Sequence, residues 1–165
     1  MSGSTGTLAE RLVGRLAADG RTLAVAESLT GGAVLDALVA VPGASAVLRG
    51  GVVAYAPEVK IGVLGVPAEL IARHGTVHPD VAWEMASRVR VLLGADLGVA
   101  TTGVAGPDPV GGHLPGEAYV AVVGPAGERL MSLPASAGAD RATIRARARD
   151  LALTLALRHA GDLVG

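Results

Sequence analysis

The chain contains no cysteine and no phenylalanine. The first absence removes disulfides, thiol nucleophiles and thiolate metal sites, and it suits a reducing compartment. Aromatic residues are scarce altogether: Tyr55, Trp83 and Tyr119 are the full set. Such a composition favours closely packed helix and sheet layers over an aromatic-rich binding platform. An excess of charge is also missing, because the formal net charge is -1. No long-range field would therefore hold the protein on nucleic acid or an anionic membrane. No apolar run reaches the roughly 18 uninterrupted residues of a membrane span. The expectation is a soluble, cytoplasmic protein with neither a nucleic-acid nor a membrane partner.

What is present is a chain of 165 residues, half of them hydrophobic and mostly Ala, Val and Leu. That length suits one compact domain. Residues 8–165 are read as that domain, and the small polar residues 1–7 as a flexible leader. Leu8, Leu12 and Leu16 repeat at helical spacing over 8–18, with Gly20 as the stop. An apolar run at 22–26 predicts a buried strand, and a helix follows over about 33–40. A second strand is expected at 51–55, then a short helix opened by Pro57 and carrying Lys60. Another helix follows Pro67 and ends near Gly75. Pro79 opens the clearest helix, with Val81, Met85, Val89 and Leu92 on one stripe. A strand at 97–102 leads into a Gly/Pro-rich loop read as irregular through Pro115. The segments 119–123 and 129–133 form a hairpin, and a last helix spans about 140–159. Strands alternating with helices predict a three-layer α/β/α fold, with a mixed, mostly parallel sheet of about five strands.

In such sheets, ligand sites gather at strand ends. The first candidate is the turn after the 22–26 strand, where Ser28, Thr30, Gly31 and Gly32 precede a helix. Glycines there let backbone approach a ligand, and helix amides offer donors for a phosphate or a developing oxyanion. An ordinary helix cap fits the same residues. Lys60 adds to the case, because it is the sole lysine beside thirteen arginines. Unlike arginine, a desolvated lysine can lose its proton near neutral pH, and a serine nucleophile needs such a base. Tyr55 could share the proton or orient the amine. The bland alternatives are a solvated helix lysine and a half-buried strand tyrosine. A second loop, Thr102-Gly103-Val104-Ala105-Gly106-Pro107, could cradle an anion or be a plain strand-end turn. Arg141, Arg145 and Arg149 recur every fourth residue on the last helix; Arg141, at its start, is the better ligand, and Arg149 fits a solvated flank.

Metal ligation is not expected. His74 and His78 are four apart, but Gly75 and Pro79 interrupt the helix that would align them. His113 and His159 lie elsewhere. A triad of Ser28 with one of these histidines stays open, although Gly-x-Ser-x-Gly is absent.

The motifs taken together resemble the CinA C-terminal domain family. Ala26-Glu27-Ser28-Leu29-Thr30-Gly31-Gly32 is similar to its Ala-Glu-Ser-Cys-Thr-Gly-Gly signature. Gly51-Val52-Val53-Ala54-Tyr55 followed by Lys60, Leu64-Gly65-Val66, Gly75-Thr76-Val77, residues 102–107, and Asp140-Arg141 with Ile144-Arg145 follow in order. The likeness spans roughly residues 8–160. It implies a five-stranded three-layer fold, a homodimer or higher homo-oligomer, and no cofactor. It also implies deamidation of nicotinamide mononucleotide, with Ser28 as nucleophile and Lys60 and Tyr55 assisting. Thr30, Gly31, Gly32, Thr102, Gly103, Gly106 and Arg141 are the residues expected to bind that substrate. The chain departs from the pattern at Leu29 (cysteine in the signature), His78 (serine), Ala139 (glycine) and His113-Leu114-Pro115-Gly116 (Lys-Pro-Val-Gly).

Overall fold

A computed structural model describes residues 6–161. Most of the expected leader, residues 1–5, lies outside them. Thr7, by contrast, is the N-cap of helix α1 (Leu8–Ala18), where its side chain and that of Glu10 form a reciprocal capping box. The leader reading is corrected there: Thr7 belongs to the domain.

Five strands follow in one sheet: β1 (Leu23–Glu27), β2 (Leu48–Val53), β3 (Leu97–Gly103), β4 (Ala118–Gly124) and β5 (Gly127–Leu133). Their order is β2-β1-β3-β4-β5. β1 pairs in parallel with both β2 and β3, whereas β3–β4 and β4–β5 are antiparallel. The sheet is thus mixed, with a parallel core.

Side-chain alternation along the strands divides the core between the two faces. Leu23, Val25, Leu97, Val99, Val120 and Val122 pack against α1, α2 (Ala33–Val39) and the long α6 (Arg141–Gly161). Ala24, Ala26, Ala100 and Ala121 face α5 (Pro79–Leu92), with α3 (Pro57–Gly62) and α4 (Ala68–His74) beside it. The small residues on that face let α5 lie close to the strands. Among the described residues no helix is long and apolar enough to cross a membrane.

Two local readings need correction. β2 begins at Leu48 and ends at Val53, so Tyr55 is outside the strand. The carbonyls of Ala54 and Tyr55 turn inward to Lys60 instead of extending the ladder. The Gly/Pro-rich loop also holds regular structure. Val110 and His113 exchange backbone hydrogen bonds of 3.0 and 2.9 Å around Gly111-Gly112. Both glycines have positive φ, 57° and 84°, which a two-residue hairpin turn requires.

The register brings the functional segments together. Glu27 is level with Val53 on one side and Thr101 on the other, so β1, β2 and β3 end at the same edge of the sheet. Gly103 pairs with Ala118, and Ala118 with Leu133, which brings the 104–117 loop and the approach to α6 to that edge as well. The chain passes from β1 to β2 on one side and then crosses to β3 on the other. This reversal opens the crevice in which α/β sheets bind ligands.

Candidate active site

Ser28 follows the last residue of β1. Its amide donates to the Thr101 carbonyl at 3.0 Å, which fixes the turn against β3. The Thr101 hydroxyl pairs with that of Thr30 at 2.7 Å. Gly31 and Gly32 adopt φ of 56° and 101°, a left-handed pair that side-chain-bearing residues would resist. This turn carries the chain over Glu27, whose fully buried carboxylate accepts from the amides of Gly32 (3.0 Å), Val34 (3.0 Å) and Leu35 (2.8 Å). A carboxylate therefore already occupies the start of α2, where opposite charge is favoured. The Gly31 amide likewise donates to the Ser28 carbonyl at 3.0 Å. Within the expected anion cradle over residues 30–32, the amides of Gly31 and Gly32 are thus taken up within the protein.

Lys60 reaches the same place from α3. It is 1% exposed, and its Nζ lies 2.9 Å from Ser28 Oγ, 2.6 Å from the Ala54 carbonyl and 3.3 Å from the Tyr55 carbonyl. Among the described residues no carboxylate pairs with it. Burial in these surroundings pushes its pKa down to about 8, because desolvation disfavours the charged amine. A neutral amine has two hydrogens and one lone pair. With the hydrogens directed to the two carbonyls, the lone pair faces the serine hydroxyl.

Tyr55 reaches Lys60 only through its carbonyl. Its hydroxyl accepts a 2.7 Å hydrogen bond from Arg141, whose guanidinium also donates to the Gly106 carbonyl at 2.6 Å. Arg141 has no carboxylate partner among the described residues, so its charge is available at the cleft mouth. Asp140 caps α6 by accepting from the Thr143 amide at 2.7 Å, and that contact lowers its pKa.

These groups surround a cleft of about 160 Å³, smaller than the roughly 300 Å³ at which drug-sized pockets begin. Ser28, Leu29, Tyr55, Gly103, Gly106 and Arg141 line it. Thr30, Gly31, Gly32 and Thr102 do not. Thr102 is buried and donates to the Thr76 carbonyl at 2.6 Å, tying the α4–α5 turn to β3. Leu29 also packs beneath the turn with Ala105, Ala118, Ile144 and Ala148, so the hydrophobic cluster takes up its side chain.

Sequence reasoning passed over several residues. Glu27 reads in isolation as an ordinary strand end. Arg145, one turn along from Arg141, donates to the carbonyls of Leu29 (3.1 Å) and Thr30 (2.7 Å); the four-residue spacing and its place in the last-helix motif were its signals, and neither gave it this role. Asp108, Thr76 and Val77 also line the cleft. Arg149 binds neighbouring Asp150, away from Ser28.

Comparison with known proteins places this geometry among relatives. Residues 5–160 match the family model described as the CinA C-terminal domain. A CinA-like protein of Frankia casuarinae is 45% identical over 163 residues, 98% of this chain and 37% of the relative. One of Anaeromyxobacter sp. (strain K) is 48% identical over 153 residues, 92% of this chain and 38% of its own length. The chain thus spans little more than a third of these relatives. The crystal structure of a CinA superfamily protein from Klebsiella pneumoniae 700603 has a TM-score of 0.88 at 30% identity, covering 93% of this chain and 96% of that one. The competence/damage inducible protein CihA from Agrobacterium tumefaciens gives 0.84 at 30% identity, covering 96% and 99%.

Proposed function

The chain belongs to the CinA C-terminal domain family, and from that membership we propose that it hydrolyses the carboxamide of nicotinamide mononucleotide, giving nicotinic acid mononucleotide and ammonia. The observation that carries this reading is the 2.9 Å approach of Lys60 Nζ to Ser28 Oγ, made by an amine whose pKa burial lowers to about 8.

Neutral Lys60 takes the Ser28 proton as Oγ attacks the amide carbon. The oxyanion needs donors other than Gly31 and Gly32. Among the described residues the amides of Leu29, Ala105 and Gly106 make no hydrogen bond, and all three residues line the cleft. Leu29 directly follows the nucleophile, the position that supplies an oxyanion donor in other serine hydrolases. The lysine ammonium then protonates the departing nitrogen, which leaves as ammonia. Water, deprotonated by the same amine, cleaves the resulting acyl-enzyme. A small cleft suits the carboxamide end of the substrate, with the rest of the nucleotide reaching outward to Arg141 and its phosphate paired with that guanidinium. The steps draw on no metal or redox group.

The test is incubation of purified protein with nicotinamide mononucleotide, following ammonia and the acid product. Ser28→Ala and Lys60→Met are each expected to lower turnover by more than about 10³-fold, in line with loss of a nucleophile or its base, while still binding the mononucleotide. Unchanged turnover in both variants would overturn the mechanism. Binding by wild type without ammonia release would make the chain a nucleotide-binding module.

A further inference from the structure

The turn between α4 and α5 carries a second group of chemistry-bearing side chains. His74 ends α4, and His78 is the N-cap of α5. The helix break at Gly75, which argued against a shared face, folds the two imidazoles together. Their rings stack with centroids 4.1 Å apart and planes 18° from parallel. Asp80 completes the group: its amide donates to His78 Nδ1 at 3.2 Å, and its carboxylate lies 3.7 Å from the same nitrogen. One donor atom from each residue lies within 4.8 Å of the other two.

We propose that His74, His78 and Asp80 form a binding site for a divalent transition-metal ion of the zinc class. Two imidazoles and a carboxylate make a nitrogen-rich donor set, which suits zinc, copper or nickel, whereas magnesium and calcium prefer oxygen. Bonds of about 2.0–2.1 Å around a tetrahedral ion place its donors about 3.4 Å apart. A pair of donors at the 4.8 Å limit must therefore close by about 1.4 Å, and one ring must turn out of the stack. The broad χ2 torsion of histidine permits that turn, and both imidazoles are only partly buried. Water fills the remaining position.

Thr76 and Val77, between the two histidines, line the cleft, and the Thr76 carbonyl accepts from Thr102. An ion would join the end of α4 to the start of α5 and hold this wall of the cleft in place.

The test uses untagged, chelator-treated protein titrated with Zn²⁺ by calorimetry. Wild type is expected to bind one ion per chain. His78→Ser, which keeps a side chain suited to capping α5, and His74→Gln should each weaken binding by more than about tenfold, since even an outer-shell partner is worth that much. His113→Gln should bind as wild type does. Thermal melts without metal establish that every variant is folded. Absence of saturable binding by wild type, or equal affinity in His78→Ser, would overturn the site and leave a simple ring stack. These readouts are independent of catalysis.

Discussion

An amine held against a hydroxyl acts as its base only while neutral, so the lowered pKa of Lys60 governs both rate and stability. With a value of about 8, roughly one molecule in ten carries the neutral amine at pH 7. The kcat/KM for amide hydrolysis is expected to rise about tenfold between pH 7 and pH 9 and then level off; a flat profile would exclude Lys60 as the base. Stability follows the same titration. The unfolded chain has the ordinary lysine value of 10.5, so the folded state is penalised most below pH 8, where it must hold a buried charge. The penalty fades as pH rises towards 10.5. Relative to Lys60→Met, wild type should gain about 2–3 kcal/mol between pH 7 and pH 10, measured by denaturant unfolding of both proteins across that range.

The turn from β1 to α2 works as a unit held from two sides. Glu27 ties its far end through three amides, while Arg145 on α6 ties the carbonyls of Leu29 and Thr30. Arg145→Lys cannot reproduce that planar fork. It is expected to lower kcat about tenfold with little change in KM, because it displaces the nucleophile without touching substrate; an equal rise in KM would place Arg145 in binding instead. Elements of this kind were legible in the sequence where local signals agreed. The Leu8, Leu12 and Leu16 stripe, the Pro79 start of α5 and the apolar run of β3 each combine a period with a stop. Motif and residue type singled out Ser28 and Lys60, which the fold brings together, whereas the hydroxyl of Tyr55 meets Arg141 and not the amine. The rest depended on distant partners. β2 ends early because Lys60 draws in two carbonyls. Gly31 and Gly32 read as a ligand cradle but provide positive φ over Glu27. His74 and His78 meet because of the very break that seemed to separate them.

Across the whole molecule, one buried group ties stability to acid. On the α6 side His159 is fully buried, and neither ring nitrogen has a hydrogen-bond partner among the described residues. Burial, with Arg129 and Arg90 nearby, lowers its pKa. At neutral pH the ring is mostly uncharged in both folded and unfolded chains. As pH falls below the ordinary value of 6.5, the unfolded chain takes the proton first. Stability is therefore lost from there down to the depressed folded value. His159→Gln should remove that component when unfolding is compared at pH 7 and pH 5; identical slopes would contradict it. A different consequence follows from the chain's having a single lysine, buried where it meets the serine. Amine-selective acylating reagents find one ε-amino group in the entire polypeptide, and the native packing screens it. The extent of acylation at Lys60, read by mass spectrometry of the peptide that carries it so that the α-amino group is counted separately, thus becomes a direct gauge of how often this interior opens to solvent, and of how far an occupant of the cleft keeps it shut.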